Sequence, residues 1–214
     1  MTGIITALEP QKHSKDRVNV YLDGAFAFGL AAIHAINLRV GAELSTEDIA
    51  ALQAADVVEQ AREKALNFLS YRPRSEAELE SYLRERKIPE PVITEVLERL
   101  RRVDLVNDEA FAHYWIQNRA QFRPRGKQAL VQELRQKGIA TAVISAAMAD
   151  YDEVSAAAQV AQELGRRLAH LPSDAFKRRL SQRMARRGFS YALIQEVLAD
   201  YPFPHSTCEE SEEL

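Results

Sequence analysis

Two short windows hold the residue types whose spacing bears on chemistry. The first runs from Arg119 to Lys137 and holds Arg119, Arg123, Arg125, Lys127, Arg135 and Lys137 against the single acid Glu133. The second holds Lys177, Arg178, Arg179, Arg183, Arg186 and Arg187 with no acid between them. Guanidinium forks and ammonium groups at this density suit phosphate or carboxylate recognition. Six like charges in eleven positions repel one another, so such a run lowers stability unless an anionic partner meets it. On a helix Phe176, Leu180 and Met184 share one face, and Arg179, Arg183 and Arg186 form a stripe beside it. Arg and Lys without Asn or Gln gathered at one helix start point to phosphate or carboxylate contacts rather than a base code.

Other chemistry has little support. His13, His34, His113, His170 and His205 are scattered with no HExxH or HxH spacing, so no metal site is expected. Gly126-Lys127 lacks the rest of a phosphate loop, there is no GxGxxG, and no cofactor is expected. The lone Cys208 sits in a polar tail, which disfavours a nucleophile and excludes a disulfide framework. Asp104, Asp108 and Glu109 cluster as the carboxylates of a divalent-ion nuclease would. Asn107 as a helix cap, with the acids complementing the helix dipole, accounts for them structurally. Tyr114 and Trp115 offer base-stacking surfaces, but the helical spacing of Phe111 and Trp115 reads as core packing. The chain is expected not to be an enzyme.

Composition narrows the class. The 214 residues are 46% hydrophobic, enough for a packed core, with eight Gly and eight Pro. The longest uncharged stretch, Ala25 to Leu38, falls short of the ~20 apolar residues a membrane span needs, and no signal peptide precedes it. A cytoplasmic protein is expected. The net charge of -3 conceals a segregation. Residues 1–60 carry four Lys/Arg and eight Asp/Glu, residues 61–190 carry 24 and 17, and residues 191–214 carry none and six. A basic middle between acidic ends calls for a polyanion or an acidic protein surface as partner.

The elements that must position these residues follow from periodicity. Val18 to Leu22 alternate, Phe26 and Phe28 continue the period after Asp23-Gly24, and that pair is a hairpin turn. Ile4 to Leu8 adds a third strand through a polar loop from Gln11 to Asp16. Ala31 to Asn37 reads as a short helix. Ser45 with Asp48 forms a capping pair that opens a helix through Ile49 and Leu52.

From Ala61 onward the period is helical and the pattern repeats. Leu79, Leu83, Lys87 and Ile88 align with Leu130, Leu134, Gly138 and Ile139, then with Leu180, Met184, Gly188 and Phe189. The register continues through Val92, Val143 and Leu193, then Ile93, Ile144 and Ile194, and then Leu97, Met148 and Leu198. Upstream, Tyr71-Arg72-Pro73-Arg74 matches Phe122-Arg123-Pro124-Arg125. Each unit reads as three helices. The first covers about Ala61–Leu69, Asp108–Ala120 and Ser155–Leu168. The second starts near Ser75, Gly126 and Ser173 and ends at Lys87, Gly138 and Gly188, where a left-handed residue closes it. The third starts near Pro89, Thr141 and Ser190. The expected division is a hairpin segment at 1–58, repeats at 59–107, 108–151 and 152–201, and an acidic disordered tail at 202–214. Units too small to bury their own faces stack into a curved helical array, so the fold class is mainly α.

These residues resemble a known family. Leu105 to Ala112, then Arg119, Gly126 and Glu133 to Ile139, are similar to the signature of RecX, the regulatory protein of the RecA recombinase. Arg74 to Leu79 with Leu83 resembles the family's first-repeat motif, and Gly188-Phe189 with Ile194, Val197 and Leu198 resembles the third. The Asp23-Gly24 hairpin is similar to the N-terminal extension of longer members. The resemblance covers residues 4–200. It implies a right-handed superhelix of three three-helix repeats that binds in the groove of the RecA filament on single-stranded DNA. It implies inhibition of ATP hydrolysis, strand exchange and the coprotease activity behind the SOS response, and filament shrinkage. The chain departs at Gln128-Ala129, where the family pattern has Arg; Lys127 is adjacent. The two basic windows are the expected contact with filament and DNA, with weaker binding to double-stranded DNA, and the chain is expected to be a monomer. The competing readings are a general nucleic-acid-binding helical module, a nuclease, and a scaffold that docks through its acidic tail.

Overall fold

The computed structural model describes residues 2–12 and 14–202; the acidic stretch from residue 203, with His205 and Cys208, lies outside the described residues, as does His13. The chain divides into two compact units, 1–106 and 107–214. Ten helices and four short strands are seen among the described residues.

Unit one begins with an antiparallel sheet of order β3-β2-β1-β4. Its strands are β1 (Gly3–Gln11), β2 (Ser14–Leu22), β3 (Ala25–Ala31) and β4 (Glu43–Leu44). Asp23 and Gly24 have φ of 49° and 85°, the two left-handed residues that a two-residue hairpin turn requires. The first connection is tighter than the polar loop expected between Gln11 and Asp16, because β1 and β2 pair as far as Gln11 and Ser14. Phe26 and Phe28 do not share a face. Val20 pairs with Phe28 and Tyr21 with Phe26, so Ala27 is an extra residue on β3. The bulge turns Phe28 into the core and leaves Phe26 exposed against the Tyr21 ring, 5.9 Å away.

The short α1 (Ala32–Ala35) follows the sheet. The two helices expected near Ile49 and after Ala61 are one helix, α2 (Thr46–Leu69). The reciprocal Ser45–Asp48 capping box opens it, and no Gly or Pro interrupts it before Leu69. Its first half covers the sheet with Ile49 and Leu52, while Val58, Ala61 and Ala65 enter a second core. The buried Asp56 carboxylate joins the layers: it accepts from Arg17 at 2.8 and 3.1 Å, from the Ala31 N–H at 2.7 Å and from Gln60 at 2.7 Å. Burial pushes Asp56 up, but these donors outweigh it and hold the carboxyl below its usual range.

Helices α3 (Glu76–Glu85) and α4 (Glu90–Arg102) complete a three-helix repeat with the end of α2. Leu79, Leu83, Ile93, Leu97 and Leu100 form its core, as the repeat register requires. A cation–aromatic stack lies on it: Arg74 sits 3.9 Å over Phe68, Phe68 stacks on Tyr82 at 3.9 Å, and Arg86 sits 3.5 Å over Tyr82.

Unit two contains α5 (Asp108–Phe122), α6 (Lys127–Gln136), α7 (Thr141–Ala147), α8 (Glu153–Leu168), α9 (Ser173–Arg186) and α10 (Tyr191–Ala199). Its two repeats share one core that includes Phe111, Leu130, Leu134, Leu164, Leu180 and Ile194. They meet backbone to backbone, the Gly126 N–H donating to the Arg187 carbonyl at 2.9 Å. The Tyr151 hydroxyl donates to the Arg125 carbonyl at 2.6 Å, and Glu153 accepts from the Lys127 N–H at 2.7 Å. Gly138 and Gly188 close α6 and α9 at φ of 80° and 86°; Lys87 takes the same conformation after α3 at 58°, without glycine's freedom.

Candidate functional site

All twelve basic residues of the two windows fall in unit two, in distinct settings. In the first setting the charge is turned inward. Glu133 on α6 accepts from the Trp115 indole N–H at 2.9 Å and from Arg119 Nε at 2.8 Å, and lies 3.6 Å from Arg125 Nε. The Arg119 guanidinium and the Lys137 ammonium lie 4.5 and 4.3 Å from the Trp115 ring centre. Trp115 packs against the unit-two core and stacks on Phe111 at 5.9 Å. It therefore holds Arg119 and Lys137 as part of the repeat's own packing.

The second setting is a cavity of about 430 Å³ where the α5–α6 turn meets α8 and the end of α9. Arg123, Arg125, Arg167 and Arg187 line it with Phe122 and one carboxylate, Glu163. Glu163 pairs with Arg167 at 3.1 Å and with Arg187 at 3.3 Å. Arg123 is exposed and has no ion-pair partner among the described residues.

The third setting is α9. Phe176, Leu180 and Met184 are buried at i, i+4 and i+8, as the spacing predicts. Arg179, Arg183 and Arg186 occupy the adjoining stripe, with Arg183 half-buried and Arg179, Arg186, Lys177 and Arg178 exposed. Arg178, Arg179, Arg183 and Arg186 have no carboxylate partner among the described residues; Arg186 only donates weakly to the Gln182 carbonyl at 3.4 Å. On α6 Lys127 and Arg135 are exposed.

The repeat register explains why α9 differs. Tyr82, Glu133 and Arg183 occupy equivalent positions, and Phe68 is equivalent to Arg119. Repeat one satisfies this position by Phe68–Tyr82 stacking and repeat two by the Arg119–Glu133 pair. Arg183 has no such partner among the described residues, so the same position is left cationic and half-exposed.

Sequence reasoning did not single out Phe122, Glu163 or Arg167 for the site. The signal for Phe122 was present in the repeated aromatic-Arg-Pro-Arg turn. Glu163 and Arg167 come from the far side of the cavity on α8, and no local pattern connects them with Arg123. Asp104 ends α4 in unit one with φ of 56°, whereas Asp108 and Glu109 lie in the first turn of α5, which Asn107 caps at 3.0 Å. Among the described residues no group of three His, Cys, Asp or Glu is arranged to hold a metal, and no helix is long and apolar enough to cross a membrane.

Known proteins share this arrangement. The family description "Regulatory protein RecX N-terminal domain" matches residues 3–45, and the first, second and third RecX three-helix domains match 61–100, 107–148 and 150–198. A Regulatory protein RecX of Bacillus licheniformis is 32% identical over 215 aligned positions, 98% of this chain and 82% of the relative. That of Bacillus subtilis is 31% identical over 98% of this chain and 81% of its own length. A solved crystal structure of a regulatory protein RecX matches with a TM-score of 0.75 at 30% identity, covering 92% of this chain and all of that one. RecX from Lactobacillus salivarius matches with a TM-score of 0.60 at 28% identity, over 68% of this chain and 96% of that one. With a hairpin segment and three successive three-helix domains each matched in order, this chain belongs to the RecX family of regulatory proteins.

Proposed function

We propose that this chain binds the RecA recombinase filament on single-stranded DNA and lowers its ATP hydrolysis, strand exchange and coprotease activity, and so acts in recombination, DNA repair and the SOS response. It does so as a cytoplasmic monomer that catalyses nothing itself and needs no cofactor. Membership of a family of regulatory proteins supports the reading. The observation that carries it is α9, where Arg178, Arg179, Arg183 and Arg186 stand on one helix with no carboxylate partner among the described residues. Such a surface is electrostatically unfavourable alone and is relieved by phosphate or by an acidic protein face. Lys127, Arg135 and Arg123 extend the same charge across unit two.

The experiment is DNA-dependent ATP hydrolysis by preformed recombinase filaments, titrated with the protein. Inhibition well below one chain per recombinase subunit is the expected result. The triple variant R179E/R183E/R186E is expected to lose inhibition while keeping its helicity, since Arg179 and Arg186 are exposed and Arg183 is half-buried, none of them in the core. Unchanged inhibition by the triple variant would remove α9 from the contact. No inhibition by the wild type, with binding to bare DNA intact, would leave a general nucleic-acid-binding helical module.

A further inference from the structure

The arginine cavity of unit two has a composition that the α9 stripe lacks: an exposed aromatic ring beside a set of guanidiniums that are only partly neutralised. Phe122 is 68% exposed, and it is an α5 residue with an unpaired Arg123 next to it. Of the four arginines that line the cavity, Arg167 and Arg187 share its one carboxylate, Glu163, Arg125 lies 3.6 Å from Glu133, and Arg123 has no ion-pair partner among the described residues. We propose that this cavity is a seat for one nucleotide of a single strand: a backbone phosphate replaces Glu163 as the partner of Arg167 and Arg187, and the adjoining base stacks on Phe122.

Several observations select this ligand. Guanidinium forks match phosphate oxygens in bidentate geometry. An acidic peptide would use the arginines but has no need of the ring, whereas every nucleobase has a face to stack on an exposed aromatic. A duplex keeps its base faces buried in the stack, so the ring selects a single strand. Repeat one provides an internal comparison. Its equivalent turn, Tyr71-Arg72-Pro73-Arg74, also exposes its aromatic, with Tyr71 84% exposed. There, however, Arg72, the counterpart of Arg123, is committed to Glu78 at 2.9 Å, and Arg74 lies over the Phe68 ring. The second turn joins an exposed ring to a cavity and to an arginine with no ion-pair partner among the described residues. Pro124 leaves the backbone between Arg123 and Arg125 little freedom, which fixes where the two residues leave the chain at the cavity.

Glu163 then acts as an internal occupant that the phosphate must displace. Removing Glu163 is expected to tighten binding, as loss of a carboxylate does at any basic surface; the signature that a general basic surface does not share is a Phe122 effect confined to strands that carry bases. The proposal rests on the single-strand reading above, and the test separates the two. Fluorescence anisotropy of the full chain is measured at low salt with a labelled short oligothymidylate and with an abasic oligomer of equal length. F122A is expected to weaken oligothymidylate binding by about 5- to 140-fold, the range for one lost base stack, and to leave the abasic oligomer unaffected. E163Q is expected to tighten both by about threefold or more, and R123A to weaken both. An E163Q affinity equal to or below wild type overturns the proposal, as does an F122A effect that is the same on both oligomers. Filament ATP hydrolysis run in parallel on the wild type reports on the regulatory reading alone. A wild type that binds as described but fails to inhibit refutes that reading and leaves the nucleotide seat standing.

Discussion

Gly126 is the residue on which the two repeats of unit two close, and replacing it with alanine tests that closure. Its φ of -69° is accessible to any residue, so alanine meets no backbone strain there. The obstacle is space. A Cβ at Gly126 would lie 1.9 Å from the Gly188 carbonyl oxygen, 2.2 Å from its carbon and 2.5 Å from the Phe189 nitrogen. The first of these is about 1.5 Å inside a comfortable contact, and the opposing atoms are backbone that no rotamer change can move. The end of α9 has to retreat, which stretches the 2.9 Å bond from the Gly126 N–H to the Arg187 carbonyl. Overpacking of this kind costs about 2 kcal/mol and the lost hydrogen bond about 1 kcal/mol, together about 3 kcal/mol. For a unit of this size that lowers the midpoint of thermal unfolding by roughly 10–20 °C. The chain's single tryptophan, Trp115, packs against the unit-two core, so tryptophan fluorescence reads the affected unit. G41A is the control. Gly41 has φ of 91° with nothing within 4 Å of a Cβ, so alanine there meets strain without a clash, and in unit one. It is expected to cost about 1–2 kcal/mol and to leave the tryptophan transition in place. A G126A transition within about 2 °C of wild type would refute the close approach of the repeats.

Three further outcomes follow from the same geometry. D56A strips the acceptor from Arg17, the Ala31 N–H and Gln60 and is expected to destabilise unit one by about 3 kcal/mol, read by urea unfolding of far-ultraviolet circular dichroism. Because Asp56 is held below its unfolded range, its contribution is present at neutral pH and is lost as pH falls below about 4; D56N should flatten that part of the acid profile, and an unchanged acid profile would contradict the assignment. E133Q removes the charge that holds Arg119 and Arg125, and is expected to cost about 1 kcal/mol while raising affinity for single-stranded DNA; a fall in affinity would show that the held arginines bind DNA as they stand. S75A removes the reciprocal cap of α3 at a fully buried position and should lower stability by about 1–2 kcal/mol in the same urea titration, with no effect on DNA binding.

The helical repeats were legible because their information is local and periodic. Leu79, Leu83, Leu130, Leu134, Leu180 and Met184 are all fully buried, as a fixed register of apolar residues requires. Helix ends were also legible where short-range chemistry sets them: Ser45, Ser75 and Asn107 cap by their own side chains, and Lys87, Gly138 and Gly188 close their helices at positive φ. The sheet was less so. Alternation placed Phe26 and Phe28 on one face, but a bulge depends on how two strands settle against each other and leaves no mark in one strand's pattern. The joining of the helix at Ile49 to the one after Ala61 was missed because the two halves face different cores, which breaks a single amphipathic period.

For the candidate site, residue types and spacing by themselves determined which charges exist, that they concentrate in repeats two and three, and which face of α9 turns inward, since all three depend on composition and helical period alone. The family likeness rests on the same register. Tertiary structure alone decided which cations are spent and which are open. Arg119, Arg125 and Arg183 look alike along the chain, yet Glu133 holds the first two and nothing holds the third among the described residues. Glu163 and Arg167, about 40 residues beyond Arg123, enter its cavity only because Gly126 and Gly188 let the two repeats touch. Coulomb energy depends on distance in space, and charge partners far apart in sequence become neighbours only through the packing of the core beneath them.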